Sequence, residues 1–297
     1  MVGDRGEDLI GRLLERCSFP VAGTAVTCGV SGGADSLSLL VLSVAAGCEV
    51  TAVHVDHGLR PDSANDALVV AEAARRFGAG FRSVRVEVGD GPNLEARARA
   101  ARHEVLGDAL LGHTADDQAE TVLWFLARGT GPEGLAGIDP TRRPLLGLRR
   151  RETAELCAVL GIDALEDPAN ADPRFTRNRI RSELIPLFND IARRDVVPAI
   201  AAAARHQRDL IEGLDELARN VDPTDARSVA GSARPVAVTA MRQWWRREVQ
   251  TSYAPDAAAL ERMLAVARGD RPRADVVAGW QIARTAQRLR LVPPSER

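Results

Sequence analysis

The sequence predicts an α/β fold with a parallel sheet, followed by a smaller, largely helical C-terminal domain. In the first part of the chain, short apolar runs alternate with segments of helical periodicity, which is typical of parallel strands joined by helical crossovers. After about residue 186 the pattern becomes mainly helical. Because 297 residues exceed one typical domain, we expect two domains, at 1–195 and 196–297.

The elements of the first domain follow from apolar runs and the residues that bound them. An unbroken apolar run predicts the first strand, alternation predicts the third, and Asn93 is a good N-cap for a helix. The predicted strands are 25–30, 50–55, 81–88 and 109–112. The predicted helices are 36–46, 63–77, 94–106, 117–128 and 152–160. The fourth strand must be short, because little chain separates it from the helix before it.

The second domain begins with a helical connection at 199–219, which is rich in Ala and Leu. A helix at 256–267 and short strands at 280–283 and 289–292 follow. Between the predicted elements of the first domain, segment 129–137 contains four glycines and one proline. We therefore expect a loop there that could order around a ligand.

Composition limits the class of protein. Hydrophobic residues make up 45% and charged residues 27% of the chain, as in an ordinary globular protein. No apolar run reaches the ~20 residues of a membrane span, and the N-terminus lacks a signal-peptide profile, so we expect a cytoplasmic location. The four cysteines form no C-x-x-C pair and have no metal-ligand spacing with histidine, which favours buried, reduced thiols.

The first predicted strand ends in Val-Ser-Gly-Gly-Ala-Asp-Ser, and a helix begins directly after it. Glycine permits positive φ angles, and the free first-turn amides of a helix attract an anion. No lysine follows the glycines, unlike in the usual P-loop, and an aspartate stands in the turn. The turn therefore predicts a site for pyrophosphate and a metal. Its candidate ATP-binding residues are Ser31, Gly32, Gly33, Ala34, Asp35 and Ser36.

The second predicted strand also ends in polar residues. Its sequence continues as His-Val-Asp-His-Gly-Leu-Arg, and the ligands of parallel sheets lie beyond the carboxyl ends of the strands. His54 and His57 can there contact the base or the ribose of a nucleotide. Both clusters are thus expected at the same edge of the sheet.

A third cluster, Gly-His-Thr-Ala-Asp-Asp-Gln-Ala-Glu-Thr, opens the helix after the fourth strand. Asp116, Asp117 and Glu120 place three carboxylates at the helix start, where the dipole stabilises them and spacings of three and four make them neighbours. The residues alone leave two roles open for them: ligands for Mg²⁺ on ATP, or a binding site for a cationic amine. His113 lies beside them as a candidate proton shuttle.

All 39 basic residues are arginines, and they occur in clusters that predict an asymmetric basic surface. Arg99 and Arg102 lie on one face of the predicted helix 94–106, where they could neutralise a polyphosphate or clamp an RNA phosphate. A solvated helix face is equally consistent with that spacing. Segment 174–181 combines four arginines with one aromatic residue and predicts an RNA-facing element.

The turn at 31–36 resembles the PP-loop of the N-type ATP pyrophosphatases, which adenylate a substrate oxygen and release pyrophosphate. With the later clusters, the chain resembles the tRNA(Ile)-lysidine synthetase family. The matching segments are 31–36, 54–60, 93–102, 112–121, 128–137, 143–148 and 166–181. The resemblance implies a PP-loop nucleotide-binding domain that converts the wobble cytidine of the CAU anticodon of tRNA(Ile) to lysidine. ATP and free L-lysine would be substrates, and Mg²⁺ the cofactor.

The residues and the resemblance together suggest a division of roles. Asp35, His113 and Asp117 are the predicted catalytic residues, Asp35 with Asp116 holds the metal, and Asp117 with Glu120 binds the lysine amine. The ATP site is expected to include four residues outside the turn: His54, His57, Arg99 and Gly112. The predicted tRNA-binding residues are Arg102, Arg174, Arg177, Arg179 and Arg181.

Two other functions share part of this pattern. A tRNA thiolase would use the same phosphate turn, but the lack of paired cysteines argues against it. An inactive nucleotide-binding or RNA-binding module would not need the complete set of carboxylates. The sequence predicts no membrane partner and leaves the oligomeric state open, with a homodimer among the alternatives.

Overall fold

Four parallel strands form the sheet of the first unit, in the order β3-β2-β1-β4. The computed structural model describes residues 4–56, 63–86, 97, 104–165, 172–251 and 254–294. The chain divides into two compact units, Met1–Arg205 and His206–Arg297. The strands of the first unit are β1 (Ala25–Gly29), β2 (Glu49–Asp56), β3 (Gly80–Arg85) and β4 (Leu110–Leu111). The predicted parallel α/β sheet is therefore confirmed.

β1 lies inside the sheet, and its register brings the turn after it between two other strand ends. Cys28 pairs with Ala52 of β2 on one side and with Leu110 of β4 on the other. As predicted, β4 is short, with two residues. Of the helix predicted at 94–106, only Arg97 and residues 104–106 belong to the described part of the chain, and they are helical.

Helices pack against this sheet and carry most of the polar residues of interest. The helices of the first unit are α1 (Asp4–Leu14), α2 (Ala34–Ala45), α3 (Ser63–Phe77), α4 (Ala115–Ala127), α5 (Pro132–Leu135), α6 (Arg150–Leu160), α7 (Thr176–Arg179) and α8 (Ile185–Ala192). A 3₁₀ turn spans Pro140–Arg142, and a π-helical turn at Ile180–Leu184 joins α7 to α8. Pro186, which has no N–H to donate to the carbonyl of Ser182, follows that turn.

The main core of the first unit lies between α2 and α6. Leu37, Leu40 and Leu156 are completely buried there, and each such side chain contributes about 1.5–3 kcal/mol by leaving water. The Ser38 hydroxyl donates to the carbonyl of Thr153 at 3.0 Å, which satisfies a buried polar pair between the two helices. This packing fixes the first turn of α2 against the first turn of α6.

The second unit combines helices with a small antiparallel sheet, in agreement with the predicted smaller, largely helical domain. Its helices are α10 (Ala226–Gly231), α11 (Arg234–Val249) and α12 (Ala257–Arg268), and its strands are β5 (Arg273–Asp275), β6 (Gln281–Thr285) and β7 (Arg288–Val292). A long helix, α9 (Val197–Ala218), contains the division between the units. Met241, Met263 and Ile282 are fully buried in the core of this unit. No helix within the described ranges is long and apolar enough to span a bilayer.

The contact between α2 and α6 gives a first prediction. Leu156→Ala should lower the free energy of unfolding by about 2–5 kcal/mol, because it leaves a cavity in a closely packed core. Leu68→Ala, at a side chain that is 67% exposed on α3, serves as the matched control and should change stability by less than ~0.5 kcal/mol. Urea denaturation of both variants measures the difference. Equal effects would contradict the described core.

Gly112 gives a second prediction, because it lies where β4 approaches the start of α2. A Cβ atom on Gly112 would stand 2.6 Å from the carbonyl oxygen of Asp35 and 3.2 Å from the Cα of Ser36. We expect Gly112→Ala to destabilise the fold by roughly 1–3 kcal/mol through this backbone clash. Gly11→Ala, in the exposed α1 helix with no atom within 4 Å, should be neutral or slightly stabilising. Thermal unfolding of the pair provides the test, and an unchanged Gly112→Ala would refute the close approach.

Candidate functional site

The turn after β1 is closed by hydroxyl groups at its two ends. The Ser36 hydroxyl accepts a hydrogen bond from the backbone N–H of Ser31 at 3.1 Å and donates to the carbonyl of Gly33 at 2.8 Å. The Ser31 and Ser36 hydroxyls lie 3.2 Å apart. Gly32 has a φ of +95°, in the left-handed region that favours glycine. The local sequence therefore forms the compact turn that was predicted for it.

The start of α2 leaves its amides available to an anion. No side chain caps the helix at Gly33, and uncapped first-turn N–H groups with the helix dipole attract phosphate. The loop after α6 lies against the same turn, where the Leu165 N–H donates to the carbonyl of Gly32 at 2.9 Å. A Cβ atom on Gly32 would stand 2.5 Å from the Leu165 side chain. The turn is thus held between α2 and the end of this loop.

One arginine lies among three carboxylates beside this turn. The guanidinium of Arg150 is 3.4 Å from the carboxylate of Asp35, 2.8 Å from that of Asp117 and 3.1 Å from that of Glu120. These residues come from the first turns of α2 and α6 and from α4. The structure therefore brings Asp35, Asp117 and Glu120 together, although Asp35 is far from the other two in sequence.

A second arginine, Arg181, also binds a carboxylate of this cluster. The Arg181 Nε and Nη2 atoms donate to the two oxygens of Glu120 at 2.7 and 3.1 Å. The Glu120 side chain is only 2% exposed, so its charge depends on these two guanidinium groups. Arg181 belongs to the π-helical turn, and π-helical turns frequently occur at functional sites.

The pKa values of the two aspartates in the cluster are shifted in opposite directions. Burial raises the pKa of Asp35, and the nearby charge of Asp117 adds to this, while bonds from Thr153 and Arg150 oppose it. Burial also opposes ionisation of Asp117, but the Arg150 charge and hydrogen bonds from Thr114 outweigh it and lower the pKa of Asp117. The Thr114 amide and hydroxyl donate to Asp117 at 2.8 and 3.0 Å. Asp117 is therefore the stronger acid of this pair.

Arg150 responds to the same charges. Burial disfavours its cation, yet the charges of Asp117, Glu120 and Asp35 outweigh burial and raise the pKa of Arg150. His113 directly precedes Thr114, the N-cap residue of α4 that donates to Asp117. Its role as a proton shuttle stays a prediction.

Asp116 is directed to a different partner. Its two oxygens accept hydrogen bonds from Arg149 Nε and Nη2 at 2.9 and 3.0 Å and from the Arg150 amide at 2.8 Å. These contacts hold the turn that leads into α6. The structure therefore does not support the predicted pairing of Asp116 with Asp35 as metal ligands, because donors from the α6 turn already occupy its oxygens.

The predicted nucleotide contacts beyond the turn are only partly described. His54 is 4% exposed, and its Nδ1 atom lies 3.0 Å from the carbonyl of Val30, so that it braces the strand end beneath the turn. Gly112 lies against the backbone of Asp35. Three predicted site residues lie outside the described residues: His57, Arg99 and Arg102.

The arginines of segment 174–181 do not form one RNA-facing surface, which differs from the prediction. Arg177 donates to the Thr121 hydroxyl of α4 at 2.9 Å, and Arg181 binds Glu120. Arg174 and Arg179 are exposed. Each binds a carboxylate that is close in sequence: Arg174 binds Asp172, two residues away, and Arg179 binds Glu183, four residues away. Helical periodicity turns alternate members of this run towards α4, so only Arg174 and Arg179 keep a solvent-facing position.

Sequence reasoning missed Arg150 and Thr153. Arg150 stands inside the run Arg149–Arg151, one of the arginine clusters from which the sequence predicts no more than a basic surface. The Thr153 hydroxyl donates to Asp35 and is completely buried. The available signal was the group of carboxylates at 116–120, since buried carboxylates require a cation near them.

Known proteins are similar to this chain in sequence and in fold. The family model described as "PP-loop domain" matches residues 9–188. A tRNA(Ile)-lysidine synthase from Nocardia farcinica is 44% identical over 76% of this chain and 77% of its own length. The corresponding enzyme from Leifsonia xyli is 42% identical over 74% of each chain.

Among solved structures, the U34-tRNA thiolase NcsA from Methanococcus maripaludis, with its [4Fe-4S] cluster, is similar in fold. It covers 69% of this chain and 78% of its own length with a TM-score of 0.53 and 15% sequence identity. That likeness concerns the fold alone. On the sequence identity and coverage of the curated relatives, this chain belongs to the tRNA(Ile)-lysidine synthase family of PP-loop proteins.

Proposed function

We propose that this chain uses ATP to join L-lysine to C2 of the wobble cytidine in the CAU anticodon of tRNA(Ile). The observation that carries the proposal is the cluster of Asp35, Asp117 and Glu120, which links the phosphate turn to a buried carboxylate site. This reaction requires that a site for phosphate lies next to an anionic site that can bind the lysine amine. The relatives named tRNA(Ile)-lysidine synthase support the choice of substrates.

The proposed reaction has two steps, adenylation of the cytidine and attack by the lysine amine. In the first, the C2 oxygen of cytidine attacks the α-phosphorus of ATP, the bond to the β-phosphate breaks, and pyrophosphate leaves. In the second, the ε-amine of lysine attacks C2, the C2–O bond breaks, and AMP leaves with the oxygen. The amine must give up protons, and His113 and Asp117 are the residues we propose to receive or relay them.

The first step is assigned to the turn at 31–36. The uncapped amides at the start of α2 would bind the phosphates of ATP, and the φ of Gly32 lets the backbone approach them. Arg150 lies between this turn and the α4 carboxylates, so its charge can stabilise negative charge that develops on the phosphates. His54 would support the turn from below through its bond to the Val30 carbonyl.

The cluster also fits the Mg²⁺ that accompanies ATP in such reactions. Carboxylate oxygens are the ligands Mg²⁺ prefers, and Asp35 presents its carboxylate at the edge of the phosphate turn. Asp116 and Asp117 are each less suited as a second ligand, because their oxygens already accept hydrogen bonds from neighbouring donors. Bound there, the ion would neutralise charge on the phosphates. Within the described ranges, no group of three His, Cys, Asp or Glu side chains is arranged to hold a metal ion.

The lysine amine would bind beside two guanidinium groups, those of Arg150 and Arg181. Arg150 and Arg181 form ion pairs with the half-buried Asp117 and the buried Glu120, so the site is built for cations. The ε-ammonium of lysine carries the same charge and three donors. We assign the amine site to Asp117 and Glu120, with Arg150 and Arg181 holding these carboxylates in position. Among the described residues, Arg174 and Arg179 are the predicted tRNA-binding residues that remain exposed.

The thiolase alternative meets a chemical obstacle at the cysteines. Cys28, Cys48 and Cys157 are buried and Cys17 is half-buried, and none forms a disulfide. Burial raises the pKa of Cys17 to about 12 and that of Cys28 to about 11, so both stay protonated and unreactive near neutral pH. The inactive-module alternative does not explain why three carboxylates are brought together beside the phosphate turn at the cost of burying their charges.

The decisive experiment supplies the chain with ATP, radiolabelled lysine and a tRNA(Ile) transcript with a CAU anticodon. Nucleoside analysis should show lysidine, formed with one AMP per labelled nucleoside. Asp35→Asn should lower the rate at least ~100-fold by removing charge stabilisation at the phosphates. Asp163→Asn, on the loop after α6, is the matched control and should keep the wild-type rate. Sulfur transfer, or no labelled product with the wild-type chain, would overturn the proposal.

A second prediction separates lysine binding from adenylation. Glu120→Gln removes one charge of the amine site while keeping its shape, so the KM for lysine should rise about 10-fold or more. ATP–pyrophosphate exchange, which needs ATP and tRNA but not lysine, should continue. Glu155→Gln on the exposed side of α6 is the control with the same chemical change. Loss of exchange together with an unchanged lysine KM would exclude Glu120 as a lysine-binding residue.

A further inference from the structure

A cavity lies in the first unit, behind the turn that leads into α6. Its volume is about 290 Å³, and four arginines line it: Arg16, Arg149, Arg151 and Arg205. Glu152 is the acidic residue among the lining residues described, and its carboxylate is bound to Arg16 at 2.5 and 3.0 Å. The cavity therefore has a surplus of positive charge at its surface.

Two of the four arginines, Arg151 and Arg205, have no strong ion pair and are available to bind an anion. Arg149 already binds Asp116 and Asp195. The Arg151 side chain is 75% exposed, and its contact with Asp195 is a weak one at 3.9 Å. Arg205 is exposed, and its side chain has no hydrogen bond or ion pair with another residue in the described ranges. An anion could thus bind both guanidinium groups without displacing a strong ion pair.

Part of the cavity wall, Leu146 and Gly147, belongs to segment 143–148, which carries part of the family resemblance but has no role in the reaction above. Leu145 and Leu148 are completely buried and fix the segment, while Gly147 faces the cavity. A Cβ atom on Gly147 would stand 2.2 Å from the carbonyl oxygen of Arg16, and the Gly147 carbonyl accepts from Arg16 Nη2 at 2.6 Å. The close packing of this glycine thus positions one of the four arginines.

The cavity and the reaction site share the same two helix starts. On α6, Arg149 and Arg151 line the cavity, while Arg150 between them lies in the carboxylate cluster. On α4, Ala115 lines the cavity, while Asp117 belongs to the cluster. A polymer whose modified base enters the site would therefore carry its backbone close to the cavity.

We propose that this cavity binds a backbone phosphate of the tRNA near the nucleotide that is modified. Guanidinium groups bind phosphate oxygens in a bidentate manner, and the exposure of Arg151 and Arg205 leaves them open to a macromolecule. The assignment rests on the proposed function for the identity of the RNA. It adds a tRNA contact on α6 and α9, away from the segment 174–181 that sequence reasoning favoured.

The test compares two double variants with the same loss of charge. Arg151→Gln/Arg205→Gln removes the two available cations of the cavity. Arg82→Gln/Arg85→Gln removes two exposed cations from β3, at the opposite edge of the sheet from β4. Filter binding of the full chain to the unmodified tRNA(Ile) transcript, without ATP or lysine, is measured over a series of NaCl concentrations. Thermal unfolding verifies that each variant folds.

The cavity variant should lower the slope of log K against log [NaCl] by about one and weaken binding about 3- to 10-fold at low salt, because a phosphate contact releases counterions. The β3 variant should keep the wild-type slope. Equal slopes for the two variants would overturn the proposal. So would a raised lysine KM with unchanged tRNA binding, which would indicate that the cavity binds the lysine carboxylate instead. Wild-type lysine incorporation, assayed in parallel, reports on the proposed function separately from this binding result.

Discussion

The guanidinium of Arg150 forms ion pairs with three carboxylates at the point where α2, α4 and α6 meet, and the site depends on these contacts. Asp35, Asp117 and Glu120 would repel one another without a cation between them. Each buried charge costs several kcal/mol to remove from water, and breaking such a network by removing one partner typically costs about 3–5 kcal/mol. The core between α2 and α6 positions the helix ends. The carboxylates at these ends are stable close together only because a cation lies between them.

This network also explains how the phosphate turn and the α4 carboxylates become one site. Asp35 belongs to the turn, Asp117 and Glu120 belong to α4, and Arg150 contacts all three. The chain therefore joins the turn at 31–36 to the α4 carboxylates through one shared cation. The proposed reaction, in which a nucleotide is activated before an amine attacks it, requires that continuity.

The three consecutive arginines at the start of α6 serve different surroundings because a helix turns by about 100° per residue. Arg149 binds Asp116 and Asp195, Arg150 enters the carboxylate cluster, and Arg151 points to solvent at the cavity. One short basic run thus supplies a structural ion pair, a site residue and an available surface charge. The same geometry divides segment 174–181, where Arg181 enters the cluster and Arg179 stays exposed.

The sequence by itself determined the parallel sheet, the closed turn at 31–36 and the carboxylates on one face of α4, because periodicity and turn residues report contacts between near neighbours. Only the tertiary structure decided that Arg150 lies beside Asp35, a partner 115 residues away, and that Arg181 faces Glu120 instead of solvent. It also turned Asp116 towards Arg149 and buried His54 against the Val30 carbonyl. These choices depend on which helix ends meet in space, and a local pattern carries no information about a charge that is brought close only by folding.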